Sequence, residues 1–154
     1  MPHNGLEVFK PNFDLLSGTG FTWVGSSNGH IPSGAVLAGH QRTGEPLYIG
    51  RAHHEGSLTV GKIHTGHGCI YIPYSGQEVS ILHYEVLVAQ QKAQWTHTSA
   101  HTPLPPGAIF VGNDSDGSAM YVGRCYHNGD QLPAKVIPSK NVAYSNFTQN
   151  LGLV

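Results

Sequence analysis

Short apolar runs with period-two alternation, broken every few residues by glycine-centred turns, dominate this chain. Residues 6–9, 21–24, 47–53, 57–63, 69–74 and 84–89 each read as a strand, and residues 35–38 form a further apolar run. Residues 12–20 and 39–46 read as loops, and Ser75-Gly76-Gln77-Glu78 as a turn. Glu55-Gly56 and Asn128-Gly129 sit where a two-residue hairpin turn needs positive φ at both positions. No long stretch carries the 3.6-residue apolar period of a helix.

The pattern is used twice. Leu47-Tyr48-Ile49-Gly50-Arg51-Ala52-His53-His54-Glu55-Gly56 returns as Met120-Tyr121-Val122-Gly123-Arg124-Cys125-Tyr126-His127-Asn128-Gly129, at a constant offset of 73 residues (121 − 48). The same offset relates Pro32/Pro105, Gly34/Gly107, Gly39/Gly112, Gly44/Gly117, Lys62/Lys135 and Tyr71/Tyr144. A fixed spacing that aligns glycine, tyrosine, arginine and lysine together means one supersecondary unit repeated. The second copy stops near Phe147, without a counterpart of His83-Tyr84-Glu85-Val86-Leu87. The nearest match is Gly5-Leu6-Glu7-Val8-Phe9. An unfilled sheet edge invites aggregation, so the N-terminal strand is expected to complete the second repeat.

The fold class is therefore all-β: two tandem antiparallel repeats in one compact pseudo-two-fold domain. Residues 1–20 supply an N-terminal strand and loop, 21–91 the first repeat and 92–154 the second. A chain of 154 residues is long enough to bury a sizeable core.

Composition narrows the function. Charged residues make up 11% and the net charge is −1 with histidines neutral, which leaves no electrostatic footprint for nucleic acid or an anionic membrane. The start, Met1-Pro2-His3-Asn4-Gly5, has no basic segment followed by an apolar one, and no apolar run is long enough to span a membrane. A cytoplasmic chain, or one released by a leaderless route, is expected. Cys69 and Cys125 fall outside the repeat and read as buried free thiols.

Trp23, Ile31-Pro32-Ser33-Gly34-Ala35, Leu47-Tyr48-Ile49-Gly50-Arg51-Ala52, Gly61-Lys62, Pro73-Tyr74-Ser75-Gly76-Gln77-Glu78 and Tyr84-Glu85-Val86-Leu87 resemble the DM-nine repeat family. Trp95, Pro105-Pro106-Gly107-Ala108, Tyr121-Val122-Gly123-Arg124 and Lys135 carry the likeness into the second copy. The family is a small all-β module found in tandem pairs, with mannose-binding lectins and the lectin part of natterin-type toxins among its members. The resemblance implies sugar recognition without a metal or cofactor, by an acidic residue in the loop after the first apolar run together with the lysine of a Pro-Gly-Lys turn. Here that pair is Asp114 with Lys135, and in the first repeat Gln41 with Lys62, where the acid is missing. It also implies a homodimer and a role in innate immunity or host–parasite contact.

The chemistry suits a sugar. A carboxylate offers two acceptor oxygens and an ammonium three donors, enough to hold two neighbouring hydroxyls. Arg51 and Arg124, each after a glycine in a low-charge sheet, need a carboxylate such as Glu78, Glu85 or Glu7, and with Glu78 are supporting candidates. Trp23 and Trp95 read as core residues or as stacking faces. Among eleven histidines the densest group is His64-x-x-His67 with Cys69. Zinc wants four ligands, and the second copy has Ile137, Lys140 and Val142 there, so no metal is assigned. Glu45-Pro46 is followed by Leu47 rather than the asparagine of calcium-dependent lectins, and no calcium loop is present. A binding protein is thus expected rather than an enzyme. The competing readings are an interaction scaffold without sugar binding, or a hydrolase using His64, His67 and Glu78.

Overall fold

The computed structural model describes residues 5–91, 93–99, 103–140 and 142–148. In chain order the strands are β1 (Gly5–Lys10), β2 (Asn12–Ser17), β3 (Phe21–Ser27), β4 (Leu37–His40), β5 (Pro46–His54), β6 (Ser57–His64), β7 (Ile70–Tyr74), β8 (Gln77–Ile81), β9 (His83–Ala89), β10 (Gln94–Ser99), β11 (Phe110–Asn113), β12 (Ala119–His127), β13 (Asp130–Ile137) and β14 (Val142–Thr148). A 3₁₀ turn, Pro138–Lys140, precedes β14. No helix among the described residues is long and apolar enough to cross a membrane.

All pairings are antiparallel, in the order β10-β2-β12-β13-β14-β1-β8-β7-β6-β5-β9-β3, with β4 added to β5 and β11 to β12. The order reads the same from both ends when β1–β7 are exchanged with β8–β14. A pseudo-two-fold axis therefore passes between β1 and β8, which pair at Leu6↔Gln77. The two copies match in detail. β5 and β12 share one burial pattern, and β4 and β11 carry a bulge at equivalent positions.

The N-terminal strand does complete the second repeat: β1 pairs along β14, from Gly5↔Thr148 to Lys10↔Ala143. Its counterpart in the first repeat is β8, not the strand containing Tyr84-Glu85-Val86-Leu87. That role falls to β2, which pairs with β12 and β10 as β9 pairs with β5 and β3. Residues 12–17, expected as a loop, are thus a strand whose Phe13-Asp14-Leu15-Leu16 corresponds to Tyr84-Glu85-Val86-Leu87 at an offset of 71 (85 − 14). Adjacent Leu15 and Leu16 are both buried, because β2 is covered on both faces; that breaks the alternation by which strands are read. The residues after the Ser75-Gly76 turn likewise continue as β8 rather than loop.

Local rules set the hairpins. Glu55 and Gly56 have φ of 50° and 77°, Asn128 and Gly129 of 50° and 88°, the positive pair that a two-residue turn between twisted strands requires. The repeated Gly-Arg has a steric cause. A Cβ on Gly50 would lie 2.8 Å from the Glu85 carbonyl oxygen, and one on Gly123 3.0 Å from that of Asp14. Strand β9 or β2 crosses the hairpin there.

The halves pack face to face, β4 on β13, β11 on β6 and β6 on β13. Gly39 lies against Gln131 and Gly112 against Leu58, where a Cβ would come within 2.5 and 2.7 Å. The central core draws on both halves: Leu16, Val111, Met120, Val122 and Ile137 meet Val36, Ala38, Ile49, Val60 and Leu87. Each half also has an outer core, around Ile63, Ile70 and Ile72 in the first and Phe13, Leu15 and Val136 in the second.

Candidate functional site

Pleating puts Val60, Lys62 and His64 on one side of β6 and Ile63 on the other. Val60 belongs to the central core and Ile63 to the outer one, so Lys62 and His64 point inward between the halves. Lys135 holds the matching place on β13. Both lysines are buried, at 2% and 4% exposure. A buried ammonium must be paired or hydrogen-bonded, and each lysine has such a partner.

Lys62 Nζ lies 3.1 Å from Glu78 Oε2, an ion pair closed off from solvent on both sides. Lys135 Nζ donates to the Pro73 carbonyl at 2.8 Å, across the pseudo-two-fold, and stands 5.9 Å from the centre of the Tyr74 ring. Tyr74 in turn meets the edge of His54 at 4.8 Å and donates its hydroxyl hydrogen to the Glu55 carbonyl at 3.5 Å.

The loop carrying Asp114 reaches the same region. A Cβ on Gly56 would touch that of Ser115, 3.9 Å away. The loop closes on Asp114 N–H to the Ser118 carbonyl and Gly117 N–H to the Asp114 carbonyl, both 2.9 Å. Asp116 accepts from Ser118 N–H and so serves the turn, as expected of an Asp-Gly tip. The half-buried Asp114 carboxylate accepts from Ser115 N–H at 2.9 Å through Oδ1. Lys135, Tyr74 and His54 therefore gather at one junction of the two halves, and the loop that carries Asp114 reaches the β5–β6 turn beside it through Ser115. Tyr74 and His54 were not singled out by sequence reasoning. The signal available was Tyr74 at the Pro-Tyr-Ser-Gly turn.

The first half is built otherwise. Gln41, the counterpart of Asp114, donates its amide N–H to Glu45 Oε1 and lies 2.9 Å from His64 Nδ1. Arg42, following it, is pinned to the opposite hairpin by Asp130, which accepts from its backbone N–H at 2.6 Å and faces its guanidinium at 3.3 Å. Glu45 Oε1 also lies 3.1 Å from His64 Nδ1, and that hydrogen bond is the first cause of a carboxyl pKa below the usual range. Burial pushes the His64 imidazole down from 6.5 to about 4, so it is neutral at pH 7. His67 stacks on His64 with centroids 4.4 Å apart and pairs Nδ1 with the Tyr71 hydroxyl at 3.0 Å. Burial raises the Tyr71 phenol well above its ordinary value.

Arg51 and Arg124 hold the halves together in the same way. Each lies over the tryptophan that opens its repeat, Arg51 over Trp23 at 4.3 Å and Arg124 over Trp95 at 4.2 Å. Each has a carboxylate: Glu85 at 2.6 Å for Arg51 and Asp14 at 2.9 Å for Arg124. Each donates across the interface, Arg51 to the Val111 carbonyl and Arg124 to that of Ala38. Asp14 was not among the carboxylates anticipated, because it lies 110 residues from its arginine. Glu78 serves Lys62 rather than an arginine. Cys69 and Cys125 are free thiols, Cys125 buried and Cys69 partly so.

The model of the DM9 repeat matches residues 1–81 and again 76–150, so each matched unit begins with the strand pair that structurally completes the other half. Among curated proteins the chain is similar to Natterin-3 of Thalassophryne nattereri, 32% identical over 80 residues, which are 52% of this chain and 18% of that protein. The match thus spans less than a fifth of that relative's length. Matched by both copies over most of its sequence, the chain belongs to the DM9 repeat family.

Proposed function

We propose that this protein is a lectin-type carbohydrate-binding module that recognises mannose-type glycans through its second-half site, with no metal in that site. The observation that supports the reading is the Lys135 ammonium beside the Tyr74 ring, with the Asp114 loop reaching the neighbouring Glu55-Gly56 turn through Ser115. A carboxylate and an ammonium recognise adjacent hydroxyls, and an aromatic ring beside them accepts the C–H face of a pyranose. Charge-assisted bonds of this type are stronger than neutral ones. The first half lacks the carboxylate, its glutamine being engaged by Glu45 and His64. One good site per chain gains from a second tethered copy, so a homodimer fits a role in innate recognition or at a host–parasite surface. The enzyme reading finds less support, since Glu78 is paired with Lys62.

Retention on mannan-agarose in the presence of EDTA, with elution by free mannose, is the expected result. Failure to bind mannan or any other glycan would favour the scaffold reading instead.

A further inference from the structure

In the first half, where the sugar-type pair is incomplete, three side chains of metal-binding character converge. Glu45 comes from the loop before β5 and His64 from the end of β6. His67 comes from the turn that follows. One potential ligand atom from each lies within 4.8 Å of the other two. We infer that this cluster is a binding site for one divalent transition-metal ion of the zinc type, held by Glu45, His64 and His67 with a fourth position open to water or an exogenous ligand.

The donor set selects the metal. Two imidazoles and one carboxylate suit zinc and its neighbours, whereas calcium and magnesium take oxygen ligands almost exclusively. Two ligands on a tetrahedral ion with bonds of about 2.0–2.1 Å stand roughly 3.3 Å apart. The 3.1 Å between His64 Nδ1 and Glu45 Oε1 is already close to that. Only His67 has to close in, and it is exposed on a turn flanked by Gly66 and Gly68, both at positive φ.

The surroundings resemble the outer shell that orients metal ligands. Tyr71 holds His67 at Nδ1, leaving its other nitrogen for an ion. The Gln41 amide lies against Glu45 Oε1 and His64 Nδ1, the two atoms that would take the ion, and turns away from them when the ion enters.

The second half cannot do the same. Its residues at the equivalent positions are Ser118, Ile137 and Lys140. The cluster's absence from the second copy argues against a metal in sequence, but in space it means one ion per chain. The sequence did not show Glu45 as the third ligand, since it lies 19 residues from His64.

Isothermal titration of zinc chloride into the full chain, with magnesium chloride as the control, tests this. The expected result is saturable binding of one zinc per chain, with no response to magnesium. The cobalt-loaded protein should show the strong visible absorption of a tetrahedral site. His67→Ala and Glu45→Gln, neither in the core, should each weaken zinc at least tenfold. His97→Ala, an exposed histidine on β10, should leave it unchanged. No saturable binding, two equivalents per chain, or an affinity unaltered in His67→Ala would overturn the assignment.

Discussion

The buried Lys62–Glu78 pair gives the sharpest stability prediction. The perturbation is Lys62→Met, which keeps the length of the side chain but removes the ammonium. Lys62 and Glu78 are 2% and 0% exposed at the side chain and 3.1 Å apart, so the carboxylate left behind has lost its cation in a place water hardly reaches. Breaking such a pair from one side costs about 3–5 kcal/mol. That is a large part of the roughly 5–15 kcal/mol total of a typical domain. In a chain of this size each kcal/mol moves the melting temperature by about 2–4 °C, so a fall on the order of 10 °C is expected. Removing both partners should be far milder, because apolar residues of similar volume then replace both charges. The assay is urea denaturation of the parent, Lys62→Met, Glu78→Leu and the double variant, read as a double-mutant cycle. Each single variant should lose several kcal/mol and the double variant less than their sum. Single variants within about 0.5 kcal/mol of the parent, the range of an ordinary surface change, would refute the reasoning and return Lys62 to the solvent.

Two further predictions concern groups fixed by burial and by close approach. His64 resists protonation down to about pH 4, against 6.5 when exposed, so the unfolded state takes up a proton first. Stability should then fall as pH drops from about 6.5 to about 4, by on the order of 3 kcal/mol from this group. With EDTA present, urea midpoints across that window should vary less steeply in His64→Ile, which installs the residue of the second copy; an unchanged slope would contradict the assignment. Gly50→Ala and Gly123→Ala should each cost about 1–3 kcal/mol, since the added Cβ would lie 2.7 Å from Ile63 Cδ1 or 2.6 Å from Val136 Cγ2. Gly25→Ala, with nothing within 4 Å, should be neutral or stabilising, all three read by urea denaturation.

What was legible in the sequence was local. The hairpins at Glu55-Gly56 and Asn128-Gly129 announce themselves by turn chemistry, and the 73-residue offset exposes the pseudo-symmetry. The need for an N-terminal strand followed from the missing partner of the second copy. The exchange of a strand pair between the halves did not show. β2 is buried on both faces, so its Leu15-Leu16 breaks the alternation, and its likeness to β9 rests on Asp14 standing for Glu85 at a different offset. The partners of the arginines and lysines were hidden for a related reason. Asp14 for Arg124 and Pro73 for Lys135 are long-range contacts made only when the halves close. The Glu45–His64 contact was nearer to view, since the β5–β6 register places Leu47 opposite His64, two residues from Glu45.

The claim at the centre of this account is that the second-half junction binds the glycan. Titration of mannose into Asp114→Asn beside the parent, both in EDTA, tests it most directly. The substitution keeps the shape of the loop and an acceptor oxygen for Ser115 N–H but removes the charge. A charge-assisted bond to a hydroxyl contributes about 1.5–3 kcal/mol, roughly ten- to a hundred-fold in affinity. The variant should melt with the parent and bind mannose at least tenfold more weakly. A variant that binds as tightly as the parent would place the sugar elsewhere on the protein.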